Sequence, residues 1–494
     1  MNFHDYFADA TRPVEACIVG TGGFGRSFLA QAQRVSLMNA RIAVDIDSAT
    51  AWTALKSVGV ETIAECHSQE EASRAWAEGC SIAAGALQHV VHLPFDVLVE
   101  ATGHPEAGAR HAELAIEAGK HVALVSKEVD SVIGPGLALL AAGKGKVVTP
   151  VDGDQPSLLI GLVTWAEILG FEIVCAGKSS EYDFVFNPTT ETLTSNGVTI
   201  DAAGFARHLD PGEGDIAELV AARAKAAAKL PQRAVPDLCE LAVAAHSIDL
   251  VPDRPELHCP LARISEVPSL FSTREDGGLL QGGRRMDVFH CLRLPGEISF
   301  AGGVFVVIRC RDAASWELLA GKGHIVSRNG ATAMVYLPRH LLGLEAATSV
   351  LEAGLKGLSC GSRHPRPRFD LVAIADADLG AGTLLTATGH HHAIENVSSA
   401  LIPGAPLEAE RPAPFYLIAN RRLVRPVKAG SAIRLGDIAA EDSRLLDLRR
   451  RQDALFFGNA YDAEHELGEK RRGQPSDAPG CLEHGRPQEE KPSI

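Results

Sequence analysis

The sequence predicts an α/β protein, with a doubly wound parallel sheet at the amino end, an α+β middle domain and a small β-rich unit toward the carboxyl end. Three observations lead there. An apolar run, Ala16 to Val19, passes straight into glycines in G-x-G-x-x-G order and then into a helix-like stretch. Short apolar strands alternate with helical segments from residue 15 to about 150, the pattern of a sheet covered on both faces. Two related strand–turn–strand phrases recur after residue 370.

The first strand opens onto Gly20, Thr21, Gly22, Gly23, Phe24 and Gly25. Gly20 permits the sharp turn, Gly22 lets a pyrophosphate approach bare backbone, and Gly25 lets the following helix lie close on the strand. Phosphates then rest on free N–H groups at the helix N-terminus. A second strand, Arg41 to Val44, ends in Asp45-Ile46-Asp47, about 20 residues past the last glycine, where a ribose-binding acid is expected. Asp45 and Asp47 are both candidates, and Asp47, just past the strand end, is preferred. Two carboxylates without a following arginine would repel a 2′-phosphate, so NAD is favoured over NADP. This makes residues 15–152 a Rossmann-type NAD(P)-binding domain, preceded by a loose lead-in, 1–14.

The remaining strands of this domain are read at Val97 to Glu100, His121 to Val125 and Lys146 to Pro150, with helices at Ala49 to Val58, Gln69 to Glu78 and Ile82 to Val91. Ligands cross the carboxyl ends of such strands. Ala101, Thr102 and Gly103 therefore flank the nicotinamide, and Lys127 and Glu128 of S-K-E-V-D stand at the same edge as catalytic candidates. Asp154 follows the fifth strand, where it can take a proton, join a metal site or cap the helix Leu158 to Leu169, a role Ser157 would also serve.

Residues 153–365 read as the substrate domain. Its first strand, Glu172 to Ala176, ends in G-K-S-S-E-Y-D, adding Lys178, Glu181 and Asp183 to the catalytic candidates. A third polar strand end favours one shared pocket. Val198 to Ala228, Leu238 to His246 and Leu341 to Leu355 read as helices, and Gly302 to Ile308 as a buried strand. Arg363 to Arg368, with alternate prolines, reads as a linker. The region 366–458 holds the two A-G phrases, and 459–494, poor in apolar residues, is expected to be disordered. His390-His391-His392 reads as a solvated loop, because consecutive histidines do not share a helix face.

A net charge of −15 with no basic stripe argues against nucleic acid as a partner. The ten cysteines never form a C-x-x-C pair and read as thiols of a reducing compartment. No 18-residue apolar window and no signal-peptide pattern is present, so no membrane association and a cytoplasmic location are expected.

The motifs V-D-G-D-Q-P-S, A-G-K-S-S-E-Y-D-F, F-V-V-I, Y-L-P-R-H-L and S-R-L-L-D-L-R-R-R-Q-D-A-L, in this order, resemble the homoserine-dehydrogenase-like oxidoreductases that carry a C-terminal SAF domain, the DXR-like (DRL) enzymes among them. The resemblance covers about residues 15 to 458. It implies a β-clip SAF fold for 366–458, a middle domain for catalysis and dimerisation, and a lysine at position 127 working beside the nicotinamide. It implies an NAD(P)-dependent oxidoreductase, moving hydride to or from a small polar hydroxy or oxo compound such as a sugar acid, polyol or sugar phosphate, and a homo-oligomer. The alternative it offers is a reductoisomerase acting on 1-deoxy-D-xylulose 5-phosphate or a related ketol, in which a divalent metal held by some of these acids would permit rearrangement before reduction. That branch uses NADPH and ends its second strand with arginines, where this chain has Asp45 and Asp47. A reading of another class is a nucleotide-binding sensor without turnover.

Overall fold

The structure, a computed structural model, describes residues 2–210, 212, 214–389, 392–439 and 443–458. A short helix, α1 (Phe3–Tyr6), precedes the first strand; Asn2 caps it and Phe7 buries its ring in the adjoining core, so part of the expected loose lead-in is ordered. The first domain then runs β1 (Val14–Val19), α2 (Gly23–Ala32), β2 (Met38–Val44), α3 (Ser48–Ser57), β3 (Ile63–Cys66), α4 (Gln69–Ala77), β4 (Ser81–Ala84), β5 (Val97–Glu100), α5 (Pro105–Glu117), β6 (His121–Leu124), α6 (Lys127–Ala142) and β7 (Val148–Pro150). Its strands pair in parallel in the order β3-β4-β2-β1-β5-β6-β7. The chain reverses direction across the sheet between β1 and β5, which opens a crevice at their carboxyl ends.

After α7 (Gln155–Ile168), the middle domain builds a mixed sheet from β8 (Ile173–Ser179), β9 (Phe184–Asn187), β10 (Thr192–Ser195), β11 (Val198–Asp201), β12 (Val251–Pro252), β13 (Leu261–Ala262), β14 (Arg285–Arg293), β15 (Val304–Arg309), β16 (Ile325–Val326) and β17 (Thr332–Leu337). The order is β11-β10-β9-β14-β8-β15-β17-β16, with β12 and β13 beside β14. Its helices are α8 (Ile216–Ala226), α9 (Val235–Ala245), α10 (Val267–Leu270), α11 (Ala313–Gly321) and α12 (Ala347–Leu351). Helices α7 and α9 lie against this sheet and against each other.

The carboxyl-terminal unit contains β18 (Phe369–Ala375), β19 (Ala387–Thr388), β20 (Ala393–Ile394), β21 (Val397–Pro403), α13 (Phe415–Ile418) and α14 (Arg444–Phe457). The two A-G phrases face each other: Leu379 bridges Val427, and Gly382 and Gly430 turn the chain with φ +86° and +78°. The unit is bound firmly to the rest. Strands β18 and β21 pack on α9, and α14 lies along α5 and α6. Gln452 accepts from Gly136 N (2.8 Å) and donates to Val132 O (3.0 Å), while buried Arg449 reaches Asp370 and Asp453. One hydrophobic core continues from the parallel sheet through α7 and α9 into this unit.

Several elements differ from the sequence reading. Ile82 to Val91 is not a helix: β4 occupies its start and a single 3₁₀ turn, Leu87–His89, follows. A short apolar run has no period that separates a buried parallel strand from a helix. Val198 to Ala228 begins as β11, the last strand of a hairpin, and becomes helical only from Ile216. Leu341 to Leu355 breaks into a 3₁₀ turn, α12 and a π turn. The expected tail 459–494 and two of the three consecutive histidines, His390 and His391, lie outside the described residues.

Candidate active site

The glycine turn has the form the spacing predicts. Gly20 has φ +92°, and a Cβ there would run into the Ala101 carbonyl, so the turn lies directly against the end of β5. A Cβ on Gly25 would strike the Gly20 carbonyl, which is how α2 comes close to β1. Around Gly22 and Gly23 there is open space, and both are exposed at the N-terminus of α2. Bare N–H groups and the helix dipole there suit a diphosphate.

Of the two aspartates after β2, Asp45 rather than the preferred Asp47 faces this turn. Its carboxylate accepts from Thr21 N (2.7 Å) and Thr21 Oγ1 (2.5 Å). Asp47 instead caps α3, accepting from Thr50 N (2.7 Å). Between them Ile46 is 88% exposed, an apolar side chain with an open face beside the turn.

The β5 turn is tied to the start of α6. Gly103 N donates to Ser126 Oγ (2.8 Å), and Thr102 Oγ1 donates to the buried Glu100 carboxylate (2.6 Å). Lys127 is therefore the first residue of a helix anchored to the same loop that touches the glycine turn. Phe24 sits at the opposite wall: Gly343 leaves room for the Phe24 carbonyl, and the preceding Leu342 carbonyl fills the space over Gly153. The segment Leu342-Gly343 thus joins the glycine helix to the N-terminus of α7.

At this junction the charged residues converge. Lys127 Nζ donates to Glu240 Oε1, Lys178 Nζ donates to Glu240 Oε2 and to Asp237 Oδ1 (2.8 Å), and Ser180 Oγ donates to Asp237 Oδ2 (2.7 Å). With its amide nitrogen turned to the carboxylates, Gln155 donates to Glu240 Oε1 (3.2 Å) and Asp154 Oδ1 (2.9 Å). Asp154 is also the N-cap of α7, accepting from Gln155 N (3.0 Å), so the capping role and the site role coincide. His340, from the segment after β17, lays its ring over Gly302, where no Cβ could fit, and lies close enough to Asp154 to interact with it electrostatically.

Exposure separates the roles. The Lys127 side chain keeps 23% of its surface, and Asp154 is half-buried, whereas Lys178 keeps 2% and Glu240 4%. Lys127 and Asp154 thus keep an open side, whereas Lys178 is closed off. Burial disfavours a charged Lys127, yet Asp154, Glu240 and Glu128 outweigh it and hold the ammonium well above its ordinary range. Glu240, opposed by burial but flanked by both lysines, is pulled down to about 2. Burial pushes Glu128 and Asp130 up to about 7 each, and it also raises Asp154.

The remaining candidates lie differently. Asp183 is bound by Arg293 (2.5 Å) in the loop before β9, and Glu181 is solvent-exposed. Sequence reasoning missed Asp237, Glu240 and His340. The first two carried a signal, acids three residues apart on one face of an otherwise apolar helix. His340 stood inside a quoted motif but had no local pattern of its own.

Residues 153–212 and 233–346, about a third of the chain, match the family described as Oxidoreductase DRL, catalytic domain. No curated protein matches the sequence. Among solved structures, the chain is similar to an NAD binding oxidoreductase from Klebsiella pneumoniae, at 17% identity over 34% of this chain and 43% of that one (TM-score 0.25). The match thus spans less than half the length of that protein. GenD2 from gentamicin A biosynthesis, in complex with NAD, is similar at 13% identity over 70% of this chain and 88% of that one (TM-score 0.33). DOX-P reductoisomerase with fosmidomycin and magnesium is similar at 14% identity, over 48% and 58% (TM-score 0.29). The matched middle region is the one that supplies Asp154, Lys178, Asp237, Glu240 and His340.

Among the described residues no group of three or more His, Cys, Asp and Glu is arranged to hold a metal. The two acids of α9 are instead bridged by the Lys178 ammonium. No helix among the described residues is long and apolar enough to cross a membrane.

Proposed function

We propose that the protein is an NAD(H)-dependent oxidoreductase acting on a small polar hydroxy or oxo compound. One observation carries this reading: a partly exposed, firmly protonated Lys127 stands one loop away from the glycine turn, held by a buried carboxylate that a second lysine keeps ionised.

The residues fit the dinucleotide. Gly22 and Gly23 offer backbone N–H groups to the diphosphate, Asp45 stands at the turn for the ribose hydroxyls, and Ile46 offers an apolar face to the adenine. A 2′-phosphate beside Asp45 would meet a carboxylate, which favours NAD(H). Thr102 and Gly103 flank the place of the nicotinamide, whose bound ring supplies the hydride acceptor or donor.

The chain's own residues handle the oxygen. The Lys127 ammonium donates a hydrogen bond to it and stabilises negative charge developing there. Asp154, half-open and with its affinity for protons raised by burial, accepts or returns the oxygen's proton. Gln155 fixes Asp154 against Glu240, and Lys178 acts through Glu240 as a positioning residue. Three acids, Asp154, Asp237 and Glu240, surround two lysines, so the reacting end suits a neutral hydroxyl or carbonyl better than a phosphate.

The test is to incubate pure protein with NAD or NADP and a panel of sugar acids, polyols and homoserine, and to follow the absorbance of the reduced nucleotide. Turnover of at least one compound with NAD is expected. Absence of turnover together with absence of NADH binding would overturn the reading.

A further inference from the structure

The carboxyl-terminal unit reaches the catalytic residues with two side chains. His392, between β19 and β20, places Nε2 3.6 Å from Glu128 Oε1. Tyr416 of α13 packs its ring edge-on against His392, with centroids 5.8 Å apart, and is buried beside Cys239 of α9. Glu128 follows Lys127 directly, and Cys239 precedes Glu240. Both helices that carry the site, α6 and α9, are therefore covered at this point by the same unit.

Exposure gives the contact a direction. The Glu128 side chain keeps 7% of its surface and His392 keeps 24%. The imidazole is thus the wetter end of a pair whose other end adjoins Lys127. Oxidising an alcohol carbon sends one hydride to the pyridine nucleotide and frees one proton from oxygen; reduction takes one up. Once nucleotide and substrate cover the open sides of Lys127 and Asp154, that proton needs a route to water.

We propose that the carboxyl-terminal unit is a working part of the catalytic centre, with His392 a positioning residue that acts through Glu128 and passes the reaction's proton between the buried acids around Lys127 and solvent. This rests on the oxidoreductase reading above. In the oxidative direction Asp154 takes the proton from the substrate oxygen and passes it to Glu128, with which it is electrostatically coupled. Glu128 gives it up to His392 Nε2 as the 3.6 Å pair closes, and the ring then loses one proton to water, which returns each group to its starting state. Reduction runs the same transfers backwards. Among the described residues, the groups facing the pair are Lys127 and Glu100 from the nucleotide domain, Asp154 from the N-terminus of α7, Cys239 and Glu240 from α9, and Tyr416 from the carboxyl-terminal unit. Glu128 titrates near neutral pH because burial raises it to about 7, and an imidazole exchanges protons in the same range.

The test uses full-length protein with selectively labelled histidines. The nuclear magnetic resonance signal missing from His392→Gln identifies the residue, and its titration is followed from roughly pH 5 to 9. Pairing with a carboxylate raises an imidazole's midpoint, so Glu128→Gln should lower that of His392 by about half a pH unit or more. Equal midpoints in wild type and Glu128→Gln would overturn the proposal. NADH fluorescence titration of the same samples reports separately on the oxidoreductase reading, since the histidine titration needs neither nucleotide nor substrate. With any compound that turns over, His392→Ala should slow turnover about tenfold or more and regain rate with added imidazole. A wild-type rate and pH profile in His392→Ala would equally overturn it.

Discussion

Lys127 and Glu240, 113 residues apart in the chain, meet as an ion pair where α6 begins and α9 passes beneath it. The same carboxylate holds Lys178, so one acid fixes one partly exposed lysine and one buried lysine together. Both domains contribute, which makes the site a property of their packing and not of either alone.

Breaking that carboxylate should be costly. Glu240→Ala leaves two ammonium groups short of a partner in a buried setting, and removing one member of a buried pair costs about 3–5 kcal/mol. Thermal unfolding should show a drop of several degrees, larger than that of Asp183→Ala, whose Arg293 partner keeps 23% of its surface.

Removing the working lysine should separate binding from chemistry. Lys127→Met is expected to bind NADH as the wild type does and to lose about 10²-fold or more in turnover. A variant turning over at the wild-type rate would remove Lys127 from the catalytic role.

The two middle glycine positions should respond differently. Gly22→Ala meets no neighbour and should fold normally, while weakening NADH binding about tenfold by crowding the diphosphate. Gly25→Ala would drive a methyl into the Gly20 carbonyl, so unfolding temperature should fall as well as affinity. Calorimetry and NADH titration on both variants distinguish these outcomes.

The share of stability that Glu128 contributes should fall as pH rises across the acid-to-neutral range, while His121 and His246, whose rings burial lowers to about 4, work in the opposite sense. Burial lifts Glu128 to about 7 from an ordinary 4.5, so between those values the folded chain holds a proton that the unfolded chain has released. That stability is present at low pH and lost as pH rises through about 7. Glu128→Gln, which cannot ionise, should gain on the order of 2 kcal/mol over wild type near pH 8 and little near pH 4.5. Glu240 works in the opposite sense, its contribution fading only as pH falls toward about 2, and so leaves this window alone.

Much of this was legible in the residues, and the gaps have physical causes. The glycine turn could be read because each glycine serves a distinct steric need, and Lys127, Asp154 and Lys178 could be read because polar groups ending apolar strands have few other places to go. Strands β3 and β4 are not legible because I-A-E-C and S-I-A-A are four residues long, too short for a period that separates strand from helix, so Ile82 onward reads equally as a helix. Position alone favours Asp47 over Asp45, and only the backbone path shows that Asp45 turns inward while Asp47 caps a helix. His340 and His392 reach the site through long-range packing, which no local pattern records.

The central claim is that the dinucleotide's diphosphate lies over Gly22 and Gly23 and that its reactive ring ends beside Lys127. A crystal structure of the protein with NADH bound tests this most directly. The account predicts the ring between Thr102 and the Lys127 ammonium, with the ribose at Asp45. A dinucleotide bound elsewhere, or one whose ring points away from Lys127 and Asp154, would contradict it.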